Sequence, residues 1–575
     1  MNAMKATIQT SASGSAPFSV VIPEPTPDGV SAWLAELPLV NARYCLEAME
    51  AALESFNARP GLHASTRLVL AELARPTVLM LTQRAESLLL DASVPYPADI
   101  QVNADYGIRL HRELGMGYAQ AAFDPACAAS GNKGTLRLLG ALYRALEHWG
   151  LAMLWTALAY RPSEEEYWLI LYRLFRFADA RGLLNVRFAD AEAAEPCKTP
   201  LALFKRAVLF SQANARRLRQ RDMMAAFKLL GAMEDLARLG QEPVRDGLTA
   251  EFLMDIAGRS PPARTRVRCG TEAEDPRFLH TRNLALLLMD MVEASGTPMQ
   301  YAIDKSALAR VARSLGGLEK RKSMRRPETD SCWCVAGLSP LISALSDPLP
   351  FMVQSSGCVD GKPHPMGLEV VRDEEDWTPS GRFEARILRN ESPLSKLMNK
   401  KRGIVNSDDI WSGGEEAPSQ ALPAVVEGTI VNSSARGCCI IWPSLSSART
   451  KVGELLGVWL GPDKPVNFVG AIRWLECEQG GLTLGVELLA PAAEVVEVYD
   501  SASKPKGRAL LLAAVAALRP DPELLALSGT VQVGSVVRLG SGEGVTGYWV
   551  REALEATPSF GRYVLMPVQP GLDLD

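Results

Sequence analysis

Histidine is scarce here. Five residues, His63, His111, His148, His280 and His364, lie far apart in a chain of 575. No H-E-x-x-H, G-x-S-x-G or G-x-x-x-x-G-K-[ST] segment occurs, so the linear signatures of zinc peptidases, α/β-hydrolases and P-loop nucleotidases are missing. The 10 cysteines form no C-x-x-C, and only Cys332/Cys334 and Cys438/Cys439 stand close together. That spacing does not suit a zinc site and does suit reduced, buried thiols. We therefore expect a non-enzyme without metal or cofactor. An enzyme with a dispersed site would need acid, base or metal ligands to converge from distant segments.

Long apolar runs are missing too. Leu284–Val292 and Ala509–Leu518 are the longest, and both fall short of the roughly 20 residues that cross a bilayer as a helix. The opening MNAMKATIQTSASGSAPF lacks the apolar core of a signal peptide. Neither charge dominates. A formal net charge of -5 and a pI near 5.8 leave little electrostatic basis for gripping a nucleic-acid polymer or an anionic membrane. These absences point to a cytoplasmic protein with no membrane insertion.

The chain is 47% hydrophobic and 22% charged, enough apolar material for two to four domains with full cores. Residues 1–28 are rich in Ser, Thr and Pro and are expected to be disordered. Helical periodicity then begins, with Leu46, Met49, Leu53 and Phe56 on one face. A second helix starts near Ser65 and bends or pauses at Pro76. A third covers about Ile108 to Phe123, and a strongly apolar one runs from Gly134 to Ala159. Ser163-Glu164-Glu165-Glu166 is a capping box that opens the aromatic segment Tyr167–Phe175. Further helices are predicted at Leu201–Leu218, Met223–Leu239, Thr249–Ile256, Leu284–Ala294 and Ser306–Leu315. The result is an all-α array over residues 29–318. Such arrays serve as protein-binding or homodimerisation surfaces, and a protein partner is expected there. The basic Gly258–Arg268 stretch reads as a solvated loop or short strand.

Past a basic linker at 319–330 the texture changes. Residues 331–424 mix strands and loops, either as an insertion or as a degenerate barrel. They include the acidic run Asp373–Trp377, the alternating Arg382–Leu388 and the connector Gly413–Ser419. Short strands broken by Gly, Pro and Asp then follow over 425–500, at Gly428–Val431, Cys438–Trp442, Val452–Leu460, Val469–Leu475 and Gly481–Leu489. That pattern fits a small antiparallel β-barrel. Residues 501–575 read as a β-rich extension in which Gly540–Gly544 is a hairpin turn.

Two motifs flank this region. Asn432, Ser434 and Gly437 stand as N-x-S-x-x-G, two short polar side chains at a chain reversal followed by a residue that tolerates positive φ. Arg321 and Arg325 stand as R-x-x-x-R, with Arg326 next. A guanidinium pairs bidentately with a phosphate or with the O6/N7 edge of guanine, worth roughly 1–3 kcal/mol per good guanine contact. Lysine cannot reproduce that fork. The run Lys396–Arg402, with Lys400 and Arg402, is a rival basic partner nearer in sequence.

Together with strands reading VGAIRW and LGVELL, these motifs resemble the PilZ family, bacterial barrels that bind cyclic di-GMP. The resemblance covers Arg321 to Leu489. It implies a non-catalytic receptor in which Arg321, Arg325 and Arg326 grip phosphates and guanine faces. Asn432 and Ser434 would read guanine edges, and Gly437 would let the strand turn beside the ligand. Signal would pass through the helical half to a protein partner in motility, pilus or biofilm control. The alternative is a PilZ-shaped scaffold that has lost nucleotide binding.

Overall fold

The computed structural model describes residues 7–8, 20–128, 131–188, 199–243, 251–265, 273–294, 302–317, 324–346, 424–443, 448–460, 467–478, 481–501, 503–515, 519–541 and 544–568. Arg321, Arg266–Arg268, Asp373–Trp377, Arg382–Leu388, Lys396–Arg402 and Gly413–Ser419 lie outside the described residues.

The chain is multi-domain: a helical N-terminal half precedes two antiparallel barrels. Thr7–Ile8 (β1) pairs with Val20–Val21 (β2) ahead of α1 (Pro27–Ala35). The side chain of Thr26 caps α1 by accepting from the amide of Gly29, at 3.1 Å. In α2 (Ala42–Ala58) the predicted stripe Leu46, Met49, Leu53 and Phe56 is buried. Pro76 does not interrupt α3 (Ala64–Leu89), which runs continuously past it.

The centre of the helical half is α4 (Ala98–Phe123) against α6 (Gly131–Leu158), with the single turn α5 (Pro125–Ala128) between them. Two glycines permit this close approach. A Cβ at Gly107 would lie 2.1 Å from the Trp155 ring, and one at Gly115 would lie 2.8 Å from Trp149. Two glycines on one helix therefore seat two indoles of the other. His111 and His148 meet across the same interface with their Nδ1 atoms 3.0 Å apart. Burial pushes both imidazoles down, His111 to about 3, so the pair is neutral.

Four more segments complete the layer: α7 (Glu165–Asp179), α8 (Pro200–Gln212), the 3-10 turn Ala215–Arg217 and α9 (Gln220–Ala232). The half is not wholly helical. The predicted helix at Thr249–Ile256 is instead strand β4 (Glu251–Asp255), in a sheet ordered β3 (Arg238–Gly240), β6 (Pro276–His280), β4 and β5 (Ala263–Arg264). Residues 251–254 are all buried, and a short run of that kind has no periodicity to separate strand from helix. Pairing with β6 decides it. The helices α10 (Arg282–Glu293) and α11 (Lys305–Leu315) follow. Among the described residues no helix is long and apolar enough to cross a membrane.

The first barrel closes in the order β10 (Leu455–Trp459), β11 (Asn467–Glu478), β12 (Gly481–Ala490), β9 (Gly437–Pro443), β8 (Val426–Ser434) and β7 (Arg326–Ala336). Its interior continues the apolar core of the helical half, through Cys332, Cys334, Ile430, Ile440, Trp442, Ile472 and Leu484. The short helix α12 (Leu338–Ser346) follows β7.

The expected β-rich extension forms a second closed barrel, whose first strand comes from the 425–500 span expected to belong to the first. It is ordered β13 (Glu494–Tyr499), β14 (Pro505–Leu512), β15 (Glu523–Ala526), β18 (Gly561–Pro567), β17 (Gly544–Ala556) and β16 (Val536–Ser541). A separate core around Val496, Leu524, Val550 and Leu565 fills it. Ser541 pairs with Gly544, as a β-hairpin requires.

Polar contacts clamp helices and barrels together. Val94 and Thr450 form an isolated antiparallel bridge, and the amide of Cys477 donates to the Tyr160 carbonyl at 2.8 Å. Arg219 donates to the Val452 carbonyl at 2.8 Å and to Ser559 Oγ at 2.7 Å, so one side chain reaches both barrels.

Candidate ligand site

The N-x-S-x-x-G segment makes the hairpin between β8 and β9, with Ala435 and Arg436 exposed at its tip. Ser434 Oγ donates to the carbonyl of Gly437 at 3.0 Å and so ties the two ends of the turn. Gly437 is required by space. A Cβ there would lie 2.3 Å from the Val486 carbonyl oxygen on the neighbouring strand. Asn432 is half-buried one residue beyond an irregularity in the β8–β9 register.

The other side of β8 carries the arginines. Strand β7 starts at Arg326, which pairs with Ser433, while Pro327 pairs with Asn432. Arg325 and Arg326 are exposed beside the hairpin. β7 ends at Ala336 and β8 begins at Val426, so neighbours in the barrel are distant in the chain. Of the six residues singled out from sequence, Arg325, Arg326, Asn432, Ser434 and Gly437 thus share one corner of the barrel. Arg321 lies outside the described residues, as do Lys400 and Arg402.

The surroundings were not legible from the motifs. A cross-strand row runs Trp474, Gly485, Cys439, Asn432, Pro327 across β11, β12, β9, β8 and β7. Directly opposed residues present side chains on one face of a sheet. Gly485 makes room for the neighbouring indole, since a Cβ there would fall 1.8 Å from Trp474 Nε1. Burial pushes the Cys439 thiol up, while Arg325, Arg216 and a hydrogen bond with Asn432 draw it down and Glu476 opposes them. Those groups therefore surround one thiol. The adjacent row, Arg326, Ser433 and Cys438, presents the opposite face, and there Ser433 Oγ donates to Glu328. Trp474 was visible in the sequence only as the end of a strand, and its place beside Asn432 needed the register.

Chemically, the corner offers guanidinium forks, an amide and a hydroxyl on a fixed hairpin, and a half-buried indole. It suits a planar, hydrogen-bonding, anionic ligand. Among the described residues no group of His, Cys, Asp and Glu could hold a metal ion.

Comparison with known proteins defines the class. The family model described as "Cyclic-di-GMP receptor FimW, N-terminal domain" matches residues 28–244, and that of the "middle PilZ domain" of the same receptor matches 252–494. The chain belongs to the PilZ-domain cyclic di-GMP receptor family. A curated relative, the cyclic-di-GMP receptor FimW of Pseudomonas aeruginosa, is 24% identical over 540 residues, covering 89% of this chain and 86% of that protein. No solved structure matches.

Proposed function

We propose that this protein is a cyclic di-GMP receptor whose ligand sits between the arginine segment and the β8–β9 hairpin. The observation that carries the reading is the register: Arg326 opposite Ser433 and Pro327 opposite Asn432. The two motifs lie side by side despite their separation in the chain. Arg325 and Arg326, with Arg321 upstream, bind phosphates and the O6/N7 edges of guanine. Asn432 and Ser434 select guanine by hydrogen bonding, and Gly437 keeps the hairpin close against β12. Binding favours one arrangement of helices and barrel over others, which requires differential affinity for the two. The helical half carries that bias to a protein partner controlling pili, motility or biofilm.

The test is calorimetric titration of the full chain with cyclic di-GMP, repeated on Arg325→Ala and Ser434→Ala. Micromolar or tighter binding, lost in both variants, supports one shared site. Binding that survives Arg325→Ala moves the basic half toward Lys400 and Arg402. No binding to the unmodified chain leaves a scaffold of PilZ shape acting through protein contacts alone.

A further inference from the structure

We infer that Arg216, supplied by the helical half, is a further ligand-binding residue of this site and reaches the cyclic dinucleotide across the top of Trp474. The inference rests on the cyclic di-GMP reading. It adds a contact from outside the barrel and outside both sequence motifs.

The backbone aims Arg216 at the barrel. After α8 the chain reverses at Asn214, held in the left-handed region at φ 59°, and the short 3-10 turn Ala215–Arg217 follows. Asn214 tolerates that conformation better than most side chains. From there the Arg216 guanidinium carbon stands 5.1 Å from the Trp474 ring centroid. Nη1 meets Glu476 Oε2 at 2.8 Å, and Nε donates to Asn214 Oδ1 at 3.3 Å.

Three features separate this from an ordinary interdomain ion pair. First, Trp474 belongs to the row that includes Asn432, and only Gly485 and the small Cys439 stand between them. No bulky side chain of that row blocks a planar ligand extending from the hairpin to the indole. Second, Arg216 keeps 51% of its side chain exposed although it stacks on the indole and pairs with Glu476. The same side chain lines a cavity. Third, that cavity measures about 330 Å³ and is lined also by Tyr160, Arg161, Ser163, Asn214 and Glu476. That volume is at the lower end of small-molecule sites.

A bis-guanine dinucleotide is long enough to need more than one corner of recognition, and it carries two phosphates. With one guanine read at Asn432 and Ser434, the remaining phosphate and base extend over Cys439 and Trp474 toward Arg216. There the guanidinium exchanges its carboxylate partner for a phosphate. Glu476 is the more buried partner, with 19% of its side chain exposed against 51% for Arg216, so releasing it has a cost that the charge-assisted pairing with phosphate must outweigh. Because Arg216 is anchored on the helical side, this contact makes ligand occupancy a direct link between the helices and the first barrel.

The test is calorimetry with cyclic di-GMP on the full chain and on Arg216→Ala, Arg216→Lys, Glu476→Gln and Arg221→Ala. Arg221 pairs with Asp91 at an exposed surface elsewhere on the helical half and serves as the charge control. Expected results are at least about tenfold weaker binding for Arg216→Ala and a smaller loss for Arg216→Lys, which keeps charge without the fork. Binding should be two- to fivefold tighter for Glu476→Gln, which frees the guanidinium, and unchanged for Arg221→Ala. A merely structural pair predicts the reverse for Glu476→Gln: no gain, or a loss that follows a drop in melting temperature. Unchanged affinity in Arg216→Ala beside a binding unmodified chain overturns this inference alone. Failure of the unmodified chain to bind overturns the receptor reading as well.

Discussion

Arg473 on the first barrel holds Glu555 on the second with two nitrogens, Nη1 and Nη2, the latter 2.9 Å from Oε2. Its Nε donates to Glu487 at 2.6 Å. Burial acts to lower the Arg473 pKa, yet hydrogen bonds and charge from Glu555 and Glu487 outweigh it and the net shift is upward. One guanidinium thus joins two independently closed barrels. Removing its main partner by Glu555→Gln should cost about 2 kcal/mol, since it leaves a largely buried cation short of a carboxylate. Chemical denaturation read against Arg473→Gln and the double variant would measure the coupling. Strictly additive losses would show that the pair contributes nothing of its own.

The neutral histidine pair gives a pH dependence with a definite sign. Both folded pKa values are depressed below the ordinary 6.5, His111 to about 3. The unfolded chain therefore binds protons that the folded chain refuses. Stability from this pair is fully present above about pH 6.5 and falls by about 1.4 kcal/mol per pH unit for each histidine as pH drops toward 3. Urea unfolding at pH 7.5 and 5.5 should show a steeper loss in the parent chain than in His111→Gln. Equal slopes would mean that His111 is not held neutral.

Gly437 should not tolerate a side chain. A methyl group there meets a backbone oxygen of β12, and backbone yields less readily than a side-chain tip. Gly437→Ala is expected to destabilise by about 2 kcal/mol and to weaken cyclic di-GMP binding, because the hairpin carrying Ser434 must move. Thermal unfolding and calorimetry on one preparation would check both. A melting temperature within a degree of the parent would refute the close approach.

At the arginine segment, geometry matters as well as charge. Arg325→Lys keeps the cation but loses the fork, and should retain no more than about a tenth of the parent affinity. Repeating the titration at rising salt separates the contributions, since exposed charge attraction is screened. A lysine variant with parental affinity would make Arg325 a point charge and not a base-reading group.

Much of the fold was legible because helices announce themselves locally. The stripe through Leu46 and Phe56 and the helices over Ile108–Phe123 and Gly134–Ala159 lie where their 3.6-residue pattern placed them. β4 failed for the opposite reason: four buried residues in a row carry no period. The site divides in the same way. Asn432, Ser434 and Gly437 form one hairpin, so their relationship is written in their spacing.

Arg326 and Ser433, or Trp474 and Asn432, are related by strand register and barrel closure. Those are set by long-range pairing and core packing that no short stretch contains. The composition and motifs of the chain were enough to establish a helical half, a small barrel and the residue types of an anionic-ligand site. The second barrel, the meeting of β7 with β8 and the reach of Arg216 over Trp474 came from the folded chain. Hydrogen bonds between distant strands, and one apolar core shared by helices and barrel, bring those residues together.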